Sequence, residues 1–230
     1  MKKVLSEKGR SMIEMLGVLA IIGVLSVGGI AGYSKAMEQF RINKAIDAIA
    51  TTIANIRTLY ASQGSYNGID SLSSSLIMPD NIKTGSGDYD YDIMGNGLAS
   101  WAEHHIASAK IKKDYDAFSL VVNGLSSKEC VTLATKDWGS SSSGIQAIAI
   151  GKGHITNGDG HGHDIGYMED LFTKFTNEAG TTNYKTTSTM YYAKPSKLPI
   201  SPAIASAQCH CSSDEDSYYS NDCYFLMLLK

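Results

Sequence analysis

The stretch that decides the fold is GRSMIEMLGVLAIIGVLSVGGIAGYSKAMEQF, residues 9–40. Residues 15–34 within it form a run of twenty without a formal charge. At ~1.5 Å rise per residue that run spans about 30 Å as a helix, the thickness of a bilayer's hydrocarbon core. An acidic residue, Glu14, stands at its mouth, where a carboxylate is costly and polar groups tend to be functional. A short basic head (Lys2, Lys3, Lys8 and Arg10, opposed by Glu7) precedes the run. That asymmetry predicts an N-in, C-out span, with everything after Lys35 outside the inner membrane.

The pattern continues without a break. Ile42, Ile46, Ile49, Ile53, Ile56 and Tyr60 recur at helical spacing and form one apolar stripe. Polar residues such as Glu38, Arg41, Lys44, Asp47 and Arg57 occupy the other faces, and Gly64 is the expected stop. No proline interrupts residues 10–63, so one long helix is predicted, apolar all round in its first half and amphipathic in its second. A signal peptide fits poorly. The run exceeds the ~7–15 residues of a secretory h-region, and no A-x-A cleavage site follows.

Bulk composition is ordinary for one globular domain with an appendage: 230 residues, 43% apolar, 19% charged, net charge −3. With no basic excess to neutralise phosphates, nucleic acid is not an expected partner. Four cysteines, at 130, 209, 211 and 223, all fall on the exported side, where an even count reads as disulfides. Cys209, His210 and Cys211 crowd together, but C-x-C with remote partners matches no usual zinc spacing. Cys209 and Cys211 point to opposite faces of an extended segment. Two connectivities then stay open: 130–209 with 211–223, or 130–211 with 209–223.

After Gly64 the chain turns to short apolar runs between Gly, Ser, Asn and Asp clusters. Strands are expected at 118–123, 145–150, 190–193 and 224–229, the last apolar on both faces and so suited to an inner position. Ser126 with Glu129 reads as a capping box for a short helix through Thr135, and 170–179 is a further helix candidate. There is no βαβ alternation and no internal repeat. The fold class expected is α+β, an antiparallel sheet packed on the long helix.

The segment KGRSMIEMLGVLAIIGVLSVGGI (residues 8–30) resembles the class III leader and N-terminal segment of type IV pilins. The resemblance covers roughly residues 5–63. It joins a glycine at the family's cut, a glutamate five residues on and an uninterrupted apolar span. FSLVVNGLSSKECVTLATKDWG (118–139) is similar to the type IVb pilin segment that ends a strand and carries the first disulfide cysteine. The resemblance implies cleavage by a prepilin peptidase after Gly9, a new and N-methylated amine on Arg10, and a filament-assembly role for Glu14. It favours Cys130–Cys209 with Cys211–Cys223, the long bridge matching the loop-closing disulfide of pilins. It divides the chain into a leader at 1–9, a transmembrane and filament-core half-helix at 10–35, an amphipathic half-helix at 36–64 and a globular head at 65–230. The family's first mature residue is usually Phe or Met, and its helix-kinking proline is missing; Gly28, Gly29 and Gly32 lie near that place.

The implied function is that of a pilin. The subunit is inserted in the inner membrane, handed to the inner-membrane assembly machinery and polymerised into an extracellular helical homo-oligomer for adhesion, motility, aggregation or conjugation. The alternatives are a pseudopilin of a type II secretion system, or a membrane-anchored periplasmic binding module that never polymerises. No cofactor is expected. GKGHITNGDGHGHDIGYMED (151–170) gathers His161, His163 and Asp164, a weak transition-metal set in what otherwise reads as a glycine-rich turn. Asp88, Asp90 and Asp92 alternate like the start of an EF-hand loop, but Ile93 and Ala99 stand where its glycine and closing glutamate belong. Catalysis finds little support. The serines at 140–143 form no nucleophile elbow, and His104 and His105 have no recognisable triad partners.

Overall fold

The computed structural model describes residues 12–69, 74–82, 93, 104–109, 115–139, 143–153, 177–184, 188–211 and 223–230. It divides into two compact units, Met1–Arg41 and Ile42–Lys230. One helix, α1 (Met12–Tyr60), contributes to both and runs unbroken through Gly28, Gly29 and Gly32. It ends where the stop was expected: Gln63 N–H donates to Tyr60 O at 3.0 Å, and Gly64 takes φ +68°, which glycine adopts without steric cost. Arg57 in the last turn places a cation at the negative end of the helix dipole.

In the second unit the predicted stripe is the buried face. Ile42, Ile49, Ile53 and Ile56 are buried, with Ala45, Ala48 and Thr52 filling the gaps between them, while Ile46 and Tyr60 pack at the margin. The Thr52 hydroxyl donates to Ala48 O at 2.8 Å, so its burial leaves no orphan donor. A one-turn helix, α2 (Ser74–Ile77), docks beside it through Asn55 Nδ2 donating to Ile77 O at 2.9 Å.

Among the described residues six strands form one antiparallel sheet: β1 (His104–Ala109), β2 (Ala117–Leu125), β3 (Ile145–Lys152), β4 (Ala179–Tyr184), β5 (Ser188–Ala193) and β6 (Cys223–Leu229). Their spatial order is β1-β2-β6-β3-β5-β4. The last strand of the chain therefore sits between β2 and β3, in register Leu120↔Met227 on one side and Ile148↔Met227 on the other. All seven of its residues are buried, as a strand apolar on both faces requires. Phe118, Leu120, Ile148, Ile150, Phe225 and Met227 belong to the core shared with α1. Alternate residues, Val121, Ala147, Ala149, Leu226 and Leu228 among them, are buried on the opposite face.

Two more helices cover the core face. α3 (Ser127–Thr135) carries the full capping box: the Glu129 N–H donates to Ser126 Oγ, and Ser126 N–H donates to Glu129 Oε2 at 2.8 Å. α4 (Pro202–Gln208) starts on Ser201, whose hydroxyl accepts from the Ile204 N–H, with Pro202 in the first turn. α2, α4, β1 and β4 have no counterpart among the elements expected from the sequence. The helix expected over 170–179 is corrected at its end, because Ala179 already belongs to β4; residues 170–176 lie outside the described residues.

Candidate functional site

Between Met12 and Tyr33 thirteen large apolar side chains are exposed, Val24 at 75% and Ile22 at 53%, whereas Ile49 on the same helix is at 0%. Fully burying one such side chain stabilises by roughly 1.5–3 kcal/mol, so the whole run represents tens of kcal/mol of unsatisfied burial. A soluble monomer rarely presents a patch of that extent. By length and composition α1 is able to cross a membrane.

The polar atoms within this run fit an apolar setting. Ser26 Oγ donates to Ile22 O at 2.7 Å and Ser34 Oγ to Ile30 O at 3.0 Å, so both hydroxyls are satisfied by their own helix. A Cβ added at Gly17, Gly23, Gly28, Gly29 or Gly32 would meet nothing within 4 Å. Among the described residues no close packing within the chain demands their small size.

Glu14 lies in the first turn of α1, where a carboxylate complements the positive end of the helix dipole. Gly9 and Arg10, the residues flanking the expected cut, lie outside the described residues. The structure therefore places Glu14 without placing its expected neighbour.

The four cysteines form two bridges, Cys130–Cys209 and Cys211–Cys223, with Cα–Cα distances of 5.8 and 5.3 Å. Both distances are within the ordinary span of a disulfide. The first joins α3 to the end of α4, and the second joins the residues just after α4 to the start of β6. Cys211 N–H donates to Ser127 Oγ at 3.2 Å, drawing the three segments together. Trp138 closes the other end of α3: its Nε1 donates to Leu133 O at 2.9 Å, and its ring lies 5.7 Å from that of Phe225.

The metal candidates His161, His163 and Asp164 lie outside the described residues, as do Asp88, Asp90 and Asp92. Among the described residues no cluster of three or more His, Cys, Asp or Glu side chains is placed to hold a metal. Ile93, at the position where an EF-hand loop needs glycine, is a buried core residue. His104 and His105 open β1.

Comparison with known proteins places these features in context. A family model described as Bundlin matches residues 34–158, more than half of the chain, from the last turns of the exposed part of α1 through β3. Two relatives each carry the description "Major structural subunit of bundle-forming pilus". One, from Escherichia coli O127:H6 (strain E2348/69 / EPEC), is 29% identical over 153 residues, covering 66% of this chain and 76% of the relative. The other, from Escherichia coli O111:H-, is 28% identical over 153 residues with the same coverage.

Proposed function

The chain belongs to the Bundlin family, and from that premise we propose that it is a pilin, a structural subunit of a type IV pilus. The observation that carries this reading is the family match to residues 34–158 on a chain whose preceding residues expose a membrane-length apolar helix. A structural subunit needs no catalytic constellation, and the role of the relatives speaks for a pilus subunit over a secretion pseudopilin.

In this reading residues 1–9 are a leader, removed by prepilin peptidase after Gly9. The exposed part of the helix, within 10–35, rests in the inner membrane and then passes to the filament core; residues 36–64 and 65–230 form the amphipathic half-helix and the head. The inner-membrane assembly machinery moves the subunit from lipid into an extracellular homo-oligomer. The thirteen exposed apolar side chains leave lipid only for an equally apolar surround of neighbouring helices.

Glu14 supplies register. The cut creates an α-amine on Arg10, N-methylated in the matured subunit. An incoming subunit sets its Glu14 carboxylate against the amine of a neighbour. Each charge alone would be costly to bury, so paired stacking is favoured over misaligned stacking. Gly28, Gly29 and Gly32 each weaken the helix by ~1 kcal/mol relative to alanine, and this stretch loosens as subunits pack. A filament map with unbroken helix through these glycines would refute that last point.

The decisive experiment is mass spectrometry of the protein from sheared surface fibres, beside a deletion strain viewed by electron microscopy. A chain beginning at Arg10 in fibres that vanish on deletion supports the pilin reading. A chain that keeps Met1 and stays in the membrane fraction favours the anchored, non-polymerising module.

A further inference from the structure

β6 is the central strand of the sheet, yet its sequence carries no alternation to tell it how to pair. Cys223, Tyr224, Phe225, Leu226, Met227, Leu228 and Leu229 are all buried. In a half-exposed strand a one-residue slip drives the apolar set into water, which fixes register. Here a slip of two residues keeps both faces apolar. The register must be set at the ends.

Both ladder irregularities fall there. On the β2 side the register shifts between Val122 and Leu125, beside Cys223; on the β3 side it shifts between Ile145 and Ala147, beside Leu229. Such irregularities mark register when something holds the strand against them. The first end is held covalently by Cys211–Cys223.

The second end meets three elements at once. Lys230 N–H donates to Gly144 O at 2.8 Å. Arg57 Nη2, from the last turn of α1, donates both to Ser143 O and to the main-chain oxygen of Lys230, the latter at 3.3 Å. Lys230 Nζ lies 3.5 Å from Asp116 Oδ2, just before β2. Gly144 takes φ +71°, and a Cβ there would stand 2.5 Å from Lys230 O and 2.6 Å from Arg57 Nη2. The approach is close enough that only glycine fits. Arg57 Nε is buried without a hydrogen-bond partner, so the guanidinium is held in place at a desolvation cost.

We propose that Arg57, Gly144 and Asp116 form a clasp for Lys230 that sets the register of β6, the disulfide at Cys223 being its counterpart at the other end. Arg57 is the positioning residue. Its Nη2 alone reaches both carbonyls, at the end of a planar group that is stiffer than a lysine stem.

The test uses the full-length oxidised protein in detergent micelles, with methyl-labelled Ile, Leu and Met. The parent shows Ile148 against Met227, the native pair. Arg57→Leu is expected to add a second set of contacts, Ile150 against Leu229, which only a two-residue slip brings together, in about a tenth of the molecules or more. Gly144→Ala is expected to do the same by steric displacement, and Arg57→Lys to give a smaller slipped fraction. Native contacts alone in Arg57→Leu, even with a lowered Tm, would overturn the clasp and leave Arg57 a merely stabilising residue. If Arg57→Leu does not fold, Gly144→Ala and Arg57→Lys decide: slipped contacts in either support the clasp, and native contacts alone in both overturn it.

Discussion

Residues 12–41 and the unit Ile42–Lys230 treat apolar surface in opposite ways. The first shows its large aliphatic side chains on every side of a helix; the second buries nearly all of those described, most of them between α1, α3, α4 and the sheet. The same helix serves both, so helix propensity does not separate them. What separates them is whether partners come from within the chain. Substitutions in the first region should therefore change assembly with little effect on folding, and those in the second should change folding.

The largest effect is expected from Glu14→Val: membrane insertion and the unfolding midpoint stay as they are, while sheared fibres disappear. Fractionation, electron microscopy and a denaturant titration measure the three, and normal fibres would rule out the pairing role. Next come the bridges. Cys130 and Cys209 are 79 residues apart, and replacing both with serine should lose about 4.5 kcal/mol on the chain-entropy account. Urea unfolding of oxidised protein in micelles reads this, and a loss below ~1 kcal/mol would mean that residual structure already restrains the unfolded chain.

A matched pair of truncations sharpens the contrast further. Ile49→Ala, at a fully buried site, should cost ~2–5 kcal/mol. Ile22→Ala removes the same atoms from the exposed run and should leave the unfolding free energy within ~0.5 kcal/mol of the parent. Equal costs would mean that the two parts of α1 fold as one cooperative unit. Within the second unit, Ser126→Ala removes the cap of α3 and should cost ~1 kcal/mol by the same measurement.

The smallest effect has the opposite sign. Tyr224 is buried and its hydroxyl has no hydrogen-bond partner, so Tyr224→Phe should be neutral or stabilise by up to ~1 kcal/mol. Burial pushes the Tyr224 pKa above the ordinary tyrosine value of 10.0. The unfolded chain then releases that proton first as pH rises. The Tyr224 contribution is thus constant below about pH 10 and declines above it, a decline that Tyr224→Phe removes. Unfolding titrations from pH 8 to pH 11 on the two proteins compare directly.

Much of this architecture was legible in the residues. The isoleucine ladder from Ile42 to Ile56 is the face that packs, Ser126 and Glu129 are the capping box, and the run from Tyr224 to Leu229 is an inner strand. In each case the cause is local: a spacing, a short motif or an unbroken apolar run. The edge strands were not legible, because β1 (HHIASA) and β4 (AGTTNY) do not alternate and become strands through the ladder their neighbours offer. α4 did leave a signal, Ser201 followed by Pro202, but on a stretch of seven residues, too short to show a helical period. The placement of β6 between β2 and β3 is a long-range choice that no local pattern encodes. Of the proposed assembly site, Glu14 was readable from its position at the mouth of the apolar run, whereas the partner proposed for it, the amine of Arg10, lies outside the described residues.

The two bridges in series have a topological consequence. Any single backbone cut within residues 131–208 falls inside one closed ring, and any cut within 212–222 inside the other, so the pieces remain one molecule until reduced. Between the rings stands exposed His210 alone, flanked by one peptide bond on each side. A protease that nicks the head almost anywhere in this span changes nothing on a non-reducing gel; one that reaches His210 severs the covalent tie to the C-terminal strand.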